Sequence, residues 1–167
     1  SSSFVNTGSS NAFYFTNGAT GTLNKTNGTT SLDGSAFFEN SGTVNVTSGV
    51  LTINSSFSTY AGSFNIAAGA ELTGTATTSF TGTTFTNNGS VTTNELAFTG
   101  ATAQTLAGNG QIQTLRINNA NGVSLTGNPT VFFFLHLTNG KINTGANILT
   151  ISPGATVNGG SNASYVN

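Results

Sequence analysis

A short phrase recurs along the chain: an aromatic or aliphatic residue, then Asn or a small residue, then Gly, then a stretch of alternating polarity. Its copies are FTNGATGTL from Phe15, FENSGTVNV from Phe38, IAAGAEL from Ile66, FTNNGSVTT from Phe85, INNANGVSL from Ile117 and LTNGKINTG from Leu137. Successive copies begin roughly 20 to 30 residues apart. A unit of this length cannot bury its own apolar face, so the recurrence indicates a solenoid in which each coil stacks on the next.

Within one repeat, the apolar residues follow the period of a β-strand. In TVNVTSGVLTI, Val44 and Val46 alternate with polar residues, and Leu51 and Ile53 do so again after a Gly-containing break. The Asn-Gly and Ser-Gly pairs allow sharp turns because glycine adopts positive φ at little cost. No stretch shows a helical period. The sequence therefore predicts an all-β fold, a right-handed parallel β-helix (β-solenoid) of about six or seven coils that forms a single domain over residues 1–167.

An antiparallel β-sandwich is the alternative all-β architecture. It predicts matched hairpins around two-residue turns, and it does not account for the recurring phrase. In the β-helix, by contrast, alternation places a regular set of aliphatic residues inside the coil. These inward positions are expected to include Val44, Val46, Leu51, Ile53, Leu115, Ile117, Leu135, Leu137, Leu149 and Ile151.

The most apolar segment is VFFFLHL, residues 131–137. Alternation divides it into two sets, of which the inward one comprises Val131, Phe133, Leu135 and Leu137. The outward set is Phe132, Phe134 and His136, at positions where the other strands carry Thr, Asn and Ser. A strand that is apolar on both faces is normally covered on both. The sequence therefore predicts that Phe132, Phe134 and His136 form a subunit interface, with cover by a loop as the alternative.

Charge is scarce: 4% of the residues are charged and the net charge is −1, against about 25% charged residues in an average soluble domain. This balance provides no attraction to nucleic acid or to an anionic membrane, and no run reaches the roughly 18 apolar residues that span a bilayer. Low charge also leaves little repulsion between copies, and open solenoid ends expose strand edges. The sequence predicts a homopolymer with end-to-end or lateral contacts, and a surface glycan or another adhesive target as a further partner.

The residue types needed for catalysis are sparse. His136 is the only histidine and cysteine is absent, whereas a metal site needs several ligands. Glu71 and Glu95 are about one coil apart, so they could stack as the carboxylate pair that glycoside hydrolysis requires. No Arg or Lys lies near either of them in the sequence. The prediction is a non-catalytic protein with no metal site and no cofactor.

The segment ELTGTATTSFTGTTFT, residues 71–86, supports a different binding function. It contains two Thr-x-Thr pairs, the first formed by Thr75 and Thr77 and the second by Thr81 and Thr83. Ranks of threonine on a flat solenoid face are typical of ice-binding proteins. The neighbouring repeats do not continue these pairs, and threonine is favoured on strands for its β-branch alone. Ice binding through these residues, or sugar binding on exposed aromatic residues, is therefore the alternative to a structural role.

The C-terminal part of the chain resembles the repeat segments of large secreted and cell-surface proteins of Bacteroidetes bacteria. The resemblance covers residues 103–167 and is carried by AQTLAGNG, LRINNANGVSL, LHLTNGKINTGANILTI and GGSNASYVN. It implies a secreted, extracellular or cell-surface β-helical stalk, adhesin or filament, exported by a dedicated secretion system. The C-terminal sorting domain usual in such proteins is not recognisable here. Together with the residue pattern, the resemblance predicts an extracellular structural or adhesive protein that assembles with itself.

Overall fold

The computed structural model describes residues 2–5, 13–33, 36–55 and 59–167, and all regular structure in these residues is β-strand. The strands are β1 (Ser2–Val5), β2 (Phe13–Asn17), β3 (Thr22–Lys25), β4 (Thr29–Asp33), β5 (Ala36–Asn40), β6 (Thr43–Val46), β7 (Val50–Ile53), β8 (Thr59–Tyr60), β9 (Ser63–Ile66), β10 (Glu71–Phe80), β11 (Thr84–Asn87), β12 (Ser90–Phe98), β13 (Gln104–Ala107), β14 (Gln111–Asn118), β15 (Val123–Thr126), β16 (Thr130–Asn139), β17 (Ile142–Asn143), β18 (Thr150–Ile151) and β19 (Thr156–Gly159). The described residues include no helix that is long and apolar enough to cross a membrane.

Every pairing between these strands is parallel, and the strands form three faces. Face 1 contains β1, β4, β7, the first halves of β10, β12, β14 and β16, and β18. Face 2 contains β2, β5, β8, the second halves of the same four long strands, and β19. Face 3 is a separate sheet of β3, β6, β9, β11, β13, β15 and β17. The predicted β-solenoid is confirmed, with about seven coils; partners on successive coils are about 20 residues apart, as with Val44 beside Phe64.

The three faces enclose one continuous apolar core. Its central part is a run of aromatic rings from successive coils, in which Phe85 packs on Phe64 at 5.6 Å and on Phe80 at 5.3 Å between ring centroids. Phe98 continues the run, 5.4 Å from Phe80. The predicted inward aliphatic residues are buried in the same core, except for two in the last coil. Those two, Leu149 and Ile151, are partly buried and pack against the core.

Faces 1 and 2 are joined by a bend inside each long strand, and the pairing shifts there. Between β14 and β16, Ile112 pairs with Val131 while Thr114 pairs with Phe134. One residue of β14 therefore lies opposite two residues of β16, which is the count of a β-bulge. The alternation is interrupted at the bend, so Phe133 points outward and is 51% exposed, and the inward positions resume at Leu135. The prediction that Phe133 is inward was wrong for this reason, whereas Val131, Leu135 and Leu137 are buried as predicted.

The corner between faces 2 and 3 contains buried amide side chains instead of apolar ones. Gln104 donates to the backbone oxygens of Phe80 and Gly82 at 3.0 and 2.7 Å. Its Oε1 atom accepts from the Gly100 amide and from Asn119 Nδ2 at 3.0 and 2.8 Å. The bonds to the Gly82 oxygen and the Gly100 amide satisfy turn groups that the strand ladders leave unpaired, whereas the Phe80 oxygen also accepts from the Thr99 amide. Together, the bonds of Gln104 hold consecutive coils in register at this corner.

Candidate functional site

The outward side of face 3 is uniform. Two outward positions recur on its strands, and the described strands place only small uncharged residues there. The first rank is Thr22, Thr43, Ser63, Thr84, Thr105, Ser124 and Asn143, and the second is Asn24, Asn45, Asn65, Thr86, Ala107 and Thr126. Such a face offers neither a charge nor an aromatic anchor.

Face 2 differs from face 3, because it contains a surface groove at its bend with face 1. This groove has a volume of about 270 Å³ and is here called the aromatic groove. The residues that line it come from three successive coils. They are Asn94, Glu95, Gln113, Thr114, Phe133, Phe134 and His136.

One wall of the aromatic groove consists of three rings. Phe133 meets Phe134 edge to face, with 4.4 Å between ring centroids. Phe134 in turn stacks on the imidazole of His136 at 5.5 Å. The β-bulge creates this wall, because it turns Phe133 out of the core and places it beside Phe134. Two phenyl rings and an imidazole thus form a partly exposed platform at this bend.

The remaining lining is polar and has spare hydrogen-bonding capacity. Leu96, Leu115 and Leu135 pair across β12, β14 and β16. The residues that precede these leucines therefore lie side by side on consecutive coils. They are Glu95, Thr114 and Phe134, and Thr114 lies between the other two in the floor of the groove. Its side chain is 6% exposed, and it has no hydrogen-bond partner among the residues that the structure describes. The side-chain amides of Asn94 and Gln113 likewise have no hydrogen-bond partner within the described ranges.

An ion pair neutralises the charge beside the groove. Arg116 Nη2 lies 2.8 Å from Oε2 of Glu95, and Arg116 Nη1 donates to Thr138 Oγ1 at 2.9 Å. The hydrogen bond with Glu95 raises the pKa of the Arg116 guanidinium above its ordinary value, against a smaller opposing effect of burial. Because Oε2 is occupied in this way, Oε1 remains the acceptor of Glu95 that is available to a ligand.

The predicted interface residues are only partly brought together. Phe134 and His136 stack and face outward as predicted. Phe132 is half-buried on the face 1 side of the bend and does not line the groove. The residue that takes its place beside Phe134 is Phe133. A subunit contact through Phe132, Phe134 and His136 stays a prediction.

The four threonines of the predicted ice-binding alternative do not share one face. Thr75 lies at the bend of β10 and Thr77 on its face 2 half. Thr81 and Thr83 lie in the turn between β10 and β11. They therefore form no flat rank. Ranks of hydroxyl residues lie instead on face 3 and on face 1, where Ser31, Thr52, Thr73 and Thr92 pair on successive coils.

The two carboxylates considered for catalysis are also separated. Glu71 pairs with Ser90 on face 1, whereas Glu95 pairs with Thr77 on face 2. Glu71 accepts a hydrogen bond from Thr92 Oγ1, and Glu95 is held by Arg116. They do not form the facing pair that glycoside hydrolysis requires. Within the described ranges, no three His, Asp or Glu side chains come together as a metal site would need.

A second outward aromatic pair lies on face 2, near the other end of the rod. Tyr14 stacks on Phe37 with 5.0 Å between ring centroids, and Tyr14 is 58% exposed. Phe37 and Phe134 are separated by about five coils, which corresponds to roughly 24 Å along the rod. Face 2 thus carries outward aromatic rings near both ends, whereas the outward ranks of face 3 carry none.

No protein-family model matches this chain, and neither a curated protein nor a solved structure is significantly similar to it.

Proposed function

We propose that this chain is an extracellular, non-catalytic adhesive rod, in which the solenoid is the rigid support and face 2 is the contact surface. The observation that carries the proposal is the distribution of outward aromatic residues. Phe133 and Phe134 at one end, and Tyr14 and Phe37 at the other, share face 2. Exposed aromatic side chains supply most of the energy at binding surfaces, because they combine a large contact area with few rotatable bonds.

The rigidity of the support favours the same function. The three strands that carry the groove pair in parallel ladders on either side of the bend, and the buried side chains of Leu96, Leu115 and Leu135 lie beneath it. A site on paired strands keeps its geometry better than a site on a loop. An adhesive contact benefits from this because little conformational entropy is lost on binding.

Removal of the groove platform is expected to weaken adhesion. The test variant carries Phe133→Thr and Phe134→Thr, which restore the short polar side chains found elsewhere on the surface. The matched control is Ile148→Thr, since Ile148 is an exposed apolar residue outside the groove, with 66% exposure. Adsorption would be measured on neutral polysaccharide particles, an apolar resin, an anionic resin and beads that carry the protein itself.

The proposal requires that the double variant lose severalfold more adsorption than the control on at least one of these surfaces, with unchanged circular dichroism. Equal adsorption of the two variants on every surface would contradict it, as would a wild-type protein that adsorbs to none of them.

Self-association is the second candidate function, and a different observation favours it. The net charge of −1 leaves little electrostatic repulsion between copies. Val157 occupies an inward position of face 2, beside Leu135, and yet is 49% exposed. Stacking of another copy on this coil would bury it. Retention of soluble protein by the protein-coated beads, together with filaments in negative-stain micrographs, would support this function.

A further inference from the structure

We propose that the aromatic groove binds a neutral sugar unit of a glycan, with the sugar ring stacked on Phe133 and its hydroxyl groups bonded to the polar lining. The inference rests on the proposed adhesive function of face 2 and specifies the chemistry of its target. It follows from the arrangement of polar and apolar groups around the groove.

The groove offers two kinds of surface side by side. The exposed ring of Phe133 is apolar, and Phe134 holds it in place from the edge. The amides of Asn94 and Gln113 provide both donors and acceptors next to it. A pyranose ring has the complementary construction, because one face presents C–H groups and the rim presents hydroxyl groups that both donate and accept. An aliphatic or purely aromatic ligand would leave the amides unpaired.

Thr114 adds a hydroxyl group to the polar lining at the floor of the groove. Its side chain lies in the floor of the groove at 6% exposure, without a hydrogen-bond partner among the described residues. The Thr114 hydroxyl group is not among the buried hydroxyl groups without a partner, which within the described residues are those of Thr93 and Ser164, so it is reached through the groove and is free to bond to a ligand. A hydroxyl group of a bound sugar could donate to Thr114 or accept from it. The neighbouring acceptor is the unoccupied Oε1 atom of Glu95.

Charge and size narrow the ligand further. Glu95 and Arg116 neutralise each other at 2.8 Å, so the groove attracts neither anions nor cations strongly. Its volume of about 270 Å³ is below the usual 300–1,000 Å³ of pockets for drug-sized ligands. The groove is open at the surface, so adjoining units of a glycan chain can extend beyond it. These properties suit one neutral sugar unit better than a phosphorylated or acidic one.

The test is direct binding of defined sugars to the purified chain. Glucose, galactose, mannose and N-acetylglucosamine, each as the methyl glycoside and as a β-linked disaccharide, would be titrated by calorimetry and by saturation-transfer NMR. Thr114→Val removes the hydroxyl group and keeps the shape, and Thr105→Val makes the same change on face 3. We expect at least one sugar to bind, Thr114→Val to weaken that binding about threefold to tenfold, and Thr105→Val to leave it unchanged.

Several results would overturn the inference. One is the absence of binding by every sugar, and another is an equal effect of the two valine variants. If sugars fail to compete while Phe133→Thr with Phe134→Thr still abolishes adhesion, the sugar assignment fails and the adhesive function stands. If sugars bind through Thr114 while Phe133→Thr with Phe134→Thr leaves adsorption unchanged, the sugar site stands and the adhesive role of face 2 fails. Loss of binding only to protein-coated beads would assign the groove to a second copy instead.

Discussion

Replacement of Phe85 by alanine is expected to lower the free energy of unfolding by about 3–5 kcal/mol. Phe85 is fully buried, and its ring contacts Phe64, Phe80 and Phe98 from three successive coils. The loss combines the transfer energy of the ring with a cavity that stacked β-strands can close only partly. Urea unfolding followed by circular dichroism would measure it.

The matched control is Phe133→Ala, which removes the same ring from an outward position. Because Phe133 is 51% exposed, its loss is expected to cost less than about 1 kcal/mol. Comparable losses at the two positions would mean that the aromatic run through the core is not what holds the coils together.

Gln104→Leu is expected to destabilise the chain by at least about 3 kcal/mol, although leucine is close to glutamine in size. The amide of Gln104 makes four hydrogen bonds, three of them to the backbone of turns at the corner between faces 2 and 3. Leucine leaves the Gly82 oxygen and the Gly100 amide without partners, at a cost of about 1–3 kcal/mol for each group that water cannot reach. It also removes one of the two bonds made by the Phe80 oxygen and by Asn119 Nδ2. Thermal and urea unfolding would report the change.

Gln111→Leu is the matched control for this second substitution. Gln111 is exposed on face 1, so the same change there is expected to stay within about 0.5 kcal/mol. If both variants unfold at the wild-type midpoint, then the buried amides do not bind the coils together and strand pairing alone sets the register.

The sequence was sufficient to predict the class of fold, because the alternation of strands such as TVNV and VLTI directly reflects burial. The sequence did not define the length of one coil, because the recurring phrase does not always mark the same corner. The recurring phrase marks two different corners: after face 2 at Phe38 and Leu137, and after face 3 at Ile66 and Phe85. Both corners need an apolar anchor followed by a glycine turn. Spacings that mix the two corners therefore exceed the true coil of about 20 residues.

The aromatic groove was less predictable, because its formation depends on a bulge. Alternation alone places Phe133 inside, and only the unequal pairing of β14 and β16 shows that it faces outward. Thr114 and Gln113 resemble ordinary surface residues in the sequence. Their roles follow from the register between coils, which brings Glu95, Thr114 and Phe134 together from positions about 20 residues apart. A correct coil length would have aligned these three, whereas nothing local marks the bulge.

The aromatic groove is expected to be the part of the rod that touches its target. The chain has no tryptophan, so Phe133→Trp provides a single fluorescent reporter in the groove and keeps an aromatic ring there. Ile148→Trp provides the same reporter at an exposed position outside it. The measurement is tryptophan emission, with quenching by acrylamide, for each variant in solution and adsorbed to the surface that the wild-type protein binds. We expect a shift to shorter wavelength and protection from acrylamide at position 133 alone. A reporter at 133 that remains as accessible as in solution, while the protein is adsorbed, would contradict the account.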